Sequence, residues 1–261
     1  MTSTLLAVSD RLNRTLLGVQ EFTFFSIRAT GLVFSRPFYV RDLYEQLLFI
    51  GVGSLHLVIL SDFFAGQAVA IQLARELKNM GLERYLGQSM VVAVVRALGP
   101  TLTGMVVAAR TASGISAELG AMKSSNQLDA LTAFGTDPVR KLAVPRLVSL
   151  FVMLPCLTLL GDLAALYGGA LVSSLVAHVS GTTYWTMVRR YLTWQNVTVG
   201  MVKPFSYAFI IGLVSCYKGF TTRGGTRGVG RSTTDSVVIS SVSILVSDMV
   251  LTRFVFSLLG W

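Results

Sequence analysis

Charge is scarce in this 261-residue chain: Asp, Glu, Lys and Arg make up 13% of it, where a soluble globular domain carries about a quarter. That shortage argues against an ordinary water-soluble fold. Histidine and cysteine are scarcer still, two of each. His56 and His178 lie far apart without metal-ligand spacing, and no convincing Ser-His-Asp order exists, so neither a metal centre nor a hydrolytic triad is indicated. Cys156 and Cys216 sit inside apolar stretches, where cysteine reads as a small hydrophobe rather than half of a disulfide. Asn196-Val197-Thr198 is a sequon only in a glycosylating compartment and reads as structural. No removable leader is expected either, because the first residues offer only Leu5, Leu6, Ala7 and Val8 as an apolar run before Asp10 and Arg11.

Apolar residues are plentiful: 52% of the chain is hydrophobic, with 24 glycines and a mean hydropathy of +0.64. Five stretches meet or approach the roughly 20 apolar residues that a bilayer crossing requires. They are Leu47–Leu73, Leu86–Ala109, Leu147–Val176, Val197–Tyr217 and Ser236–Leu259. The expected fold is therefore an all-α integral membrane protein of about five spans.

The net charge of +9 comes without a basic domain or interleaved aromatic and basic residues, so no nucleic-acid partner is expected. The cations report topology instead. Fourteen of the twenty-two Lys and Arg residues lie before span one, between spans two and three, or after span four. They include Arg11, Arg14, Arg28, Arg36, Arg41, Arg110, Lys123, Arg146 and Arg231. By the positive-inside rule the N-terminus and the Gly99 to Arg146 stretch face the cytoplasm, and Trp261 faces outward. Residues 1–42 mix Leu12, Leu16, Leu17, Phe22, Phe24, Phe25, Leu32 and Phe34 with Arg11, Arg14, Glu21, Arg28 and Arg36. That mixture fits an interfacial helix in the headgroup plane; a cytosolic helix packed on the connector is the alternative.

The Gly99 to Arg146 stretch is too regular for a loose loop. Between Ala117 and Phe134 apolar and polar residues mix without a proline, which predicts a short helix or helical hairpin. Gly135 would close it as the residue past the C-cap, and Asp137 with Pro138 would open the next helix as N-cap and first residue.

Three segments carry a family resemblance: GPTLTGMVVAARTASGISAELGAMKSSNQLDAL, DPVRKLAVPR and TTRGGTRGVGRSTTDSVVISSVSILVSDMVLT. The chain from about Leu43 to Leu259 resembles the MlaE/YrbE-type permeases of ABC transporters that work with MCE-domain proteins. The resemblance implies a permease domain over 43–261 with five spans, two copies forming the pathway, and phospholipid or a related lipid as cargo. It also implies an inner-membrane setting, with a plastid envelope as the alternative, and partners in an ABC ATPase subunit and an MCE-domain protein. No cofactor is expected in this chain, since ATP and magnesium would sit on the ATPase. The segment over about 113–135 would be the coupling helix, carried by Ala117, Glu118, Leu119, Gly120, Met122, Gln127, Asp129, Ala130 and Leu131. Two positions depart from the family pattern: Asn126, where Glu is frequent, and Ala97 in Arg96-Ala97-Leu98-Gly99-Pro100, where Glu again is frequent.

Ionisable residues within spans are functional candidates, and here they are Asp62, Arg96, Asp162, Lys203 and Asp248. Arg96 suits a lipid headgroup phosphate or, alternatively, an ion pair with Asp62 or Asp248. Lys203, just before Pro204, is placed to snorkel to the outer interface. Val69, Leu73 and Leu77 form a helical stripe that reads as packing from pattern alone; the family resemblance makes it an acyl-chain lining.

Gly225 to Ser232 reads G-x-x-x-x-G-R-S, one substitution from a phosphate-binding loop. It lacks the preceding strand and the lysine that such a loop needs. Ser232 with Asp235 reads instead as a capping-box-like start for span five, and the glycines as a tight turn. The chain is thus expected to be a transport subunit rather than an enzyme. A secondary transporter moving protons through Asp62, Asp162 and Asp248 is the second reading, disfavoured by the missing internal repeat. A membrane-embedded lipid enzyme lacks clustered catalytic groups.

Overall fold

The computed structural model of the chain describes residues 2–33, 35 and 39–258, with side chains from residue 16 onward except those of residues 256 and 258. All regular structure among them is helical. Helix α1 (Thr2–Val33) leads to α2 (Val40–Asn79), α3 (Glu83–Ser124), the short α4 (Gln127–Ala133) and α5 (Val139–Leu175). Then follow α6 (Gly181–Tyr191), α7 (Trp194–Phe220) and α8 (Gly225–Leu258). Helices α2, α3, α5, α7 and α8 are long and apolar enough to cross a membrane, matching the five expected spans. A helix is the natural solution, because hydrocarbon leaves backbone groups no partner but each other. Trp261, Phe34 and Arg36 lie outside the described residues, as do the side chains of Arg11, Leu12 and Arg14.

Two boundaries differ most from those read in the sequence. Span two does not stop near Ala109 but continues as one helix to Ser124, so much of the Gly99 to Arg146 stretch is span rather than connector. The cause is a buried row at helical spacing: Val107, Thr111, Ile115 and Leu119 are all fully covered by the bundle. Only residues 125–138 leave the spans. Span five likewise begins early, at Gly225, so Ser232 lies inside the helix and is not its cap. Its hydroxyl donates to the Lys218 carbonyl at 2.6 Å, filling a bond within the bundle. Gly224 and Gly225, both at positive φ, make the expected turn.

Spans one and three pack closest. A side chain at Gly66 would overlap the Ala165 carbonyl oxygen, so the two backbones touch. One apolar core joins all five spans through Val58, Ile115, Leu150, Leu154, Ile211 and Ile244. A second core, around Ala70, Leu86, Met90, Leu166 and Val188, is closed by α6, whose Tyr184 hydroxyl donates to the Leu166 carbonyl at 2.9 Å. Spans one, two and three each contain π-helical turns, at Leu48–Val52, Val91–Leu98, Ala108–Ala112 and Val139–Ala143. The first of these offers its Phe49 carbonyl to Arg110 at 2.8 Å, so Arg110 is a half-buried residue of span two held against span one and not part of the connector.

Helix α1 lies on the bundle rather than crossing it. Phe22 meets Tyr217 edge-on and Phe25 packs tilted against it, Phe25 also meets Phe220, and Ala29 is buried beside Leu147 and Leu213. Its other face exposes Leu16, Leu17, Phe24 and Ile27. Arg28 pairs with Asp137 at 3.0 Å, so the helix also touches the connector.

Candidate functional site

Span four carries the centre of a buried polar cluster. Lys203, with 1% of its side chain exposed, pairs with Asp248 of span five at 2.8 Å and donates to the Arg96 carbonyl at 2.9 Å. It therefore does not snorkel; Asp248 supplies the counter-charge that holds it in the bundle. The Tyr207 hydroxyl donates to the same Asp248 oxygen at 2.7 Å, one helical turn from Lys203. Arg96 of span two bonds the Asn196 side-chain oxygen, and the Asn196 amide donates to the Tyr191 carbonyl. The structure thus gives Asp248 to Lys203 and Asp62 to Thr103, while Arg96 is seated on Asn196. Tyr207 and Asn196 were not singled out from the sequence as members of this site. Tyr207 had a readable signal, four residues past Lys203 on the same helix face; Asn196 had none beyond its sequon.

A second polar feature lies between spans one, two and three. Asp62 accepts from the Thr103 hydroxyl at 2.7 Å, and Asp162 lies within electrostatic reach of it. Both carboxylates are nearly fully buried, and each keeps one oxygen without a hydrogen-bond partner among the described residues. Asp248 belongs to the Lys203 cluster, so the three aspartates do not form one acidic path. Beside Asp62 opens an apolar cavity of about 410 Å³ lined by Val69, Val94, Leu98, Met105 and Leu245. Of the Val69, Leu73 and Leu77 stripe only Val69 reaches this cavity. Leu73 and Leu77 are half-buried against the second core.

At the connector, the nine residues expected to couple divide by exposure. Leu119 and Gly120 are buried, Leu119 beneath Gly219 of span four and Gly120 against Thr222 in the turn that follows it. Ala117, Met122 and Leu131 are half-buried, whereas Glu118, Gln127, Asp129 and Ala130 are exposed. Glu118 pairs with Arg146 at 2.7 Å and Asp129 with Lys123 at 3.0 Å. Asn126, at φ 59, turns the chain between α3 and α4, so the hairpin form is the one adopted. Gly135 sits at φ 76, a conformation natural to glycine. The Asp137 side chain then accepts from the Val139 amide at 3.0 Å, capping the next helix as its sequence indicated. Phe134, just before that turn, is 85% exposed and is the connector's most prominent apolar group; the sequence placed it only among its mixed apolar residues. Gly225 to Ser232 forms the first turns of α8, a helix rather than a phosphate-cradling loop.

Comparison with known proteins fits this architecture. The sequence profile of the family described as Permease MlaE matches residues 43–254. The chain belongs to the MlaE permease family. It is 37% identical over 235 residues to a probable ABC transporter permease protein of Rickettsia typhi, covering 90% of this chain and 91% of that one. A probable ABC transporter permease protein of Synechocystis is 34% identical over 216 residues, covering 83% and 82%. The Arabidopsis thaliana chloroplast protein TRIGALACTOSYLDIACYLGLYCEROL 1 is 38% identical over 216 residues, 83% of this chain and 62% of its own length. As an MlaE permease this multi-pass membrane protein is the transport subunit of an ABC transporter. Its partner is an ATPase subunit.

Proposed function

We propose that this permease moves phospholipid or a related lipid as a homodimer, together with an ABC ATPase and an MCE-domain protein in the inner membrane of the cell. ATP and magnesium would be held by the ATPase. The N-terminus and connector would face the cytoplasm, with the C-terminus on the opposite side, and α1 would lie at the headgroup plane with Phe24 and Ile27 toward lipid. The observation that carries the reading is the pairing of an apolar cavity with basic groups at membrane depth. The cavity between Val69 and Leu245 suits an acyl chain. The same span-two segment that lines it with Val94 and Leu98 bears Arg96, whose side chain is held by Asn196 and whose carbonyl accepts from Lys203, the partner of Asp248. The half-buried guanidinium of Arg96 and the buried ammonium of Lys203 match an anionic headgroup. The plant relative's name, that of a galactolipid, supports a lipid cargo.

The connector residues Gln127, Asp129, Ala130 and Leu131, with Phe134 at the tip, are the surface we assign to the ATPase. The test is lipid transfer in proteoliposomes holding the permease with its ATPase. Arg96→Met should leave the dimer and ATPase association intact while lowering transfer about tenfold, the worth of a charge-assisted hydrogen bond. Unchanged transfer would overturn the headgroup role, and loss of the folded dimer would make Arg96 a structural residue.

A further inference from the structure

The connector is closed at its base. Arg146, at the start of span three, has only 2% of its side chain exposed, and Glu118 in the last turns of span two lies 2.7 Å from it. The other arm of the guanidinium donates to the Leu142 carbonyl at 2.7 Å, one turn back on its own helix. Residues 119–145 thus form a loop whose two ends are bolted together. Inside the loop Lys123 bonds Asp129 at 3.0 Å, and outside it Arg28 of α1 bonds Asp137 at 3.0 Å. Three ion pairs therefore gather at the connector and its base.

The two helices joined this way have different attachments. The end of span two is hydrogen-bonded to span five, where Ser116 meets Ser232 at 3.3 Å and Ser236 reaches the Ala112 carbonyl at 3.4 Å, and it packs on span four with Leu119 against Gly219. Span three packs on span one at Gly66 and on span four at Gly212, and its opening turn, Val139–Ala143, is π-helical. Without a link at Glu118 and Arg146, a push on α4 would be absorbed at the turns of Asn126 and Gly135. With it, the push reaches both spans. Opening the pair strands a buried guanidinium, so the link resists being pulled apart.

We propose that Glu118 and Arg146 are positioning residues that clasp the connector into one rigid body, so that an ATPase stroke on α4 moves the connector-side ends of spans two and three together. The clasp rests on the coupling role given to the connector above. Its test uses the full complex with its ATPase and reads three quantities: co-purification, ATP hydrolysis, and lipid moved per ATP consumed. Glu118→Ala should keep association and basal hydrolysis yet lower lipid moved per ATP by about fivefold or more, the scale of a modest coupling energy. Glu118→Asp should restore most of it, which a merely structural loss would not predict. Glu118→Gln keeps the shape and one acceptor, guarding against a variant that fails to fold, and should fall between the two. Unchanged lipid per ATP in Glu118→Ala overturns the clasp. Loss of association overturns it too, because Glu118 would then be a direct contact of the ATPase. An unmutated complex that hydrolyses ATP but moves no lipid is a separate result, one that defeats the functional reading and the clasp's part in it.

Discussion

Lys203 shows how a membrane protein keeps a charge it cannot solvate. The residue sits in span four with its ammonium between Asp248 and the Arg96 carbonyl, so three spans contribute to one charge. Removing either partner leaves the other uncompensated at membrane depth. Lys203→Met should lower stability by about 3 kcal/mol, the usual cost of breaking a buried pair, and adding Asp248→Leu should recover a large part of it. Thermal unfolding of detergent-solubilised protein, followed by helical circular dichroism, measures both. A double variant no more stable than the single one would mean that Asp248 is held by Tyr207 alone.

At the scale of elements, span one meets span three through bare backbone at Gly66. Gly66→Leu should separate the two helices and cost about 2 kcal/mol or more, since the neighbour in the way is a carbonyl that cannot turn aside. A melting temperature unchanged in the same detergent would show that the helices have room to part. Element ends also mark where sequence reading reached its limit. The hydrophobic middles of the spans were legible because a crossing needs length and little charge. The extension of span two to Ser124 was not, because Thr111 and Ser116 look solvated in sequence and are buried in the bundle. Ser232 misled for the same reason: its hydroxyl serves a neighbouring helix rather than its own first turn. The connector's stop at Gly135 and restart at Asp137 were legible because caps are local chemistry. The seat of Arg96 on Asn196, 100 residues away in the chain, depends on packing that no local pattern encodes.

For the whole molecule, the distribution of burial is uneven. The membrane window of span five is 11% buried within the chain, against 56% for spans three and four. Val238, Val242, Val246 and Val250 follow one another at helical spacing along its exposed side. That face is where a second copy would fit the proposed dimer. With Cys156 replaced by Ala, Val246→Cys should cross-link under mild oxidation to a species of twice the mass on a denaturing gel. A monomer only, with Val152→Cys forming the cross-link instead, would move the interface to span three.

The π-helical turns of spans one, two and three have one more consequence. Each such turn holds one residue more in its hydrogen-bonded ring than an α turn does, and one residue is worth about 100° of rotation about a helix axis. Moving or erasing a π turn therefore spins everything beyond it without tilting the rod. Spans four and five, α7 and α8, contain no π turn and have no such slack. Removing a single residue from Ala108–Ala112 should thus be absorbed by turning π into α with the rest of the span kept in register, whereas removing one from Ile210–Val214 should twist everything beyond it and not be tolerated. This permease is built of three helices that can be dialled and two that hold the dial still.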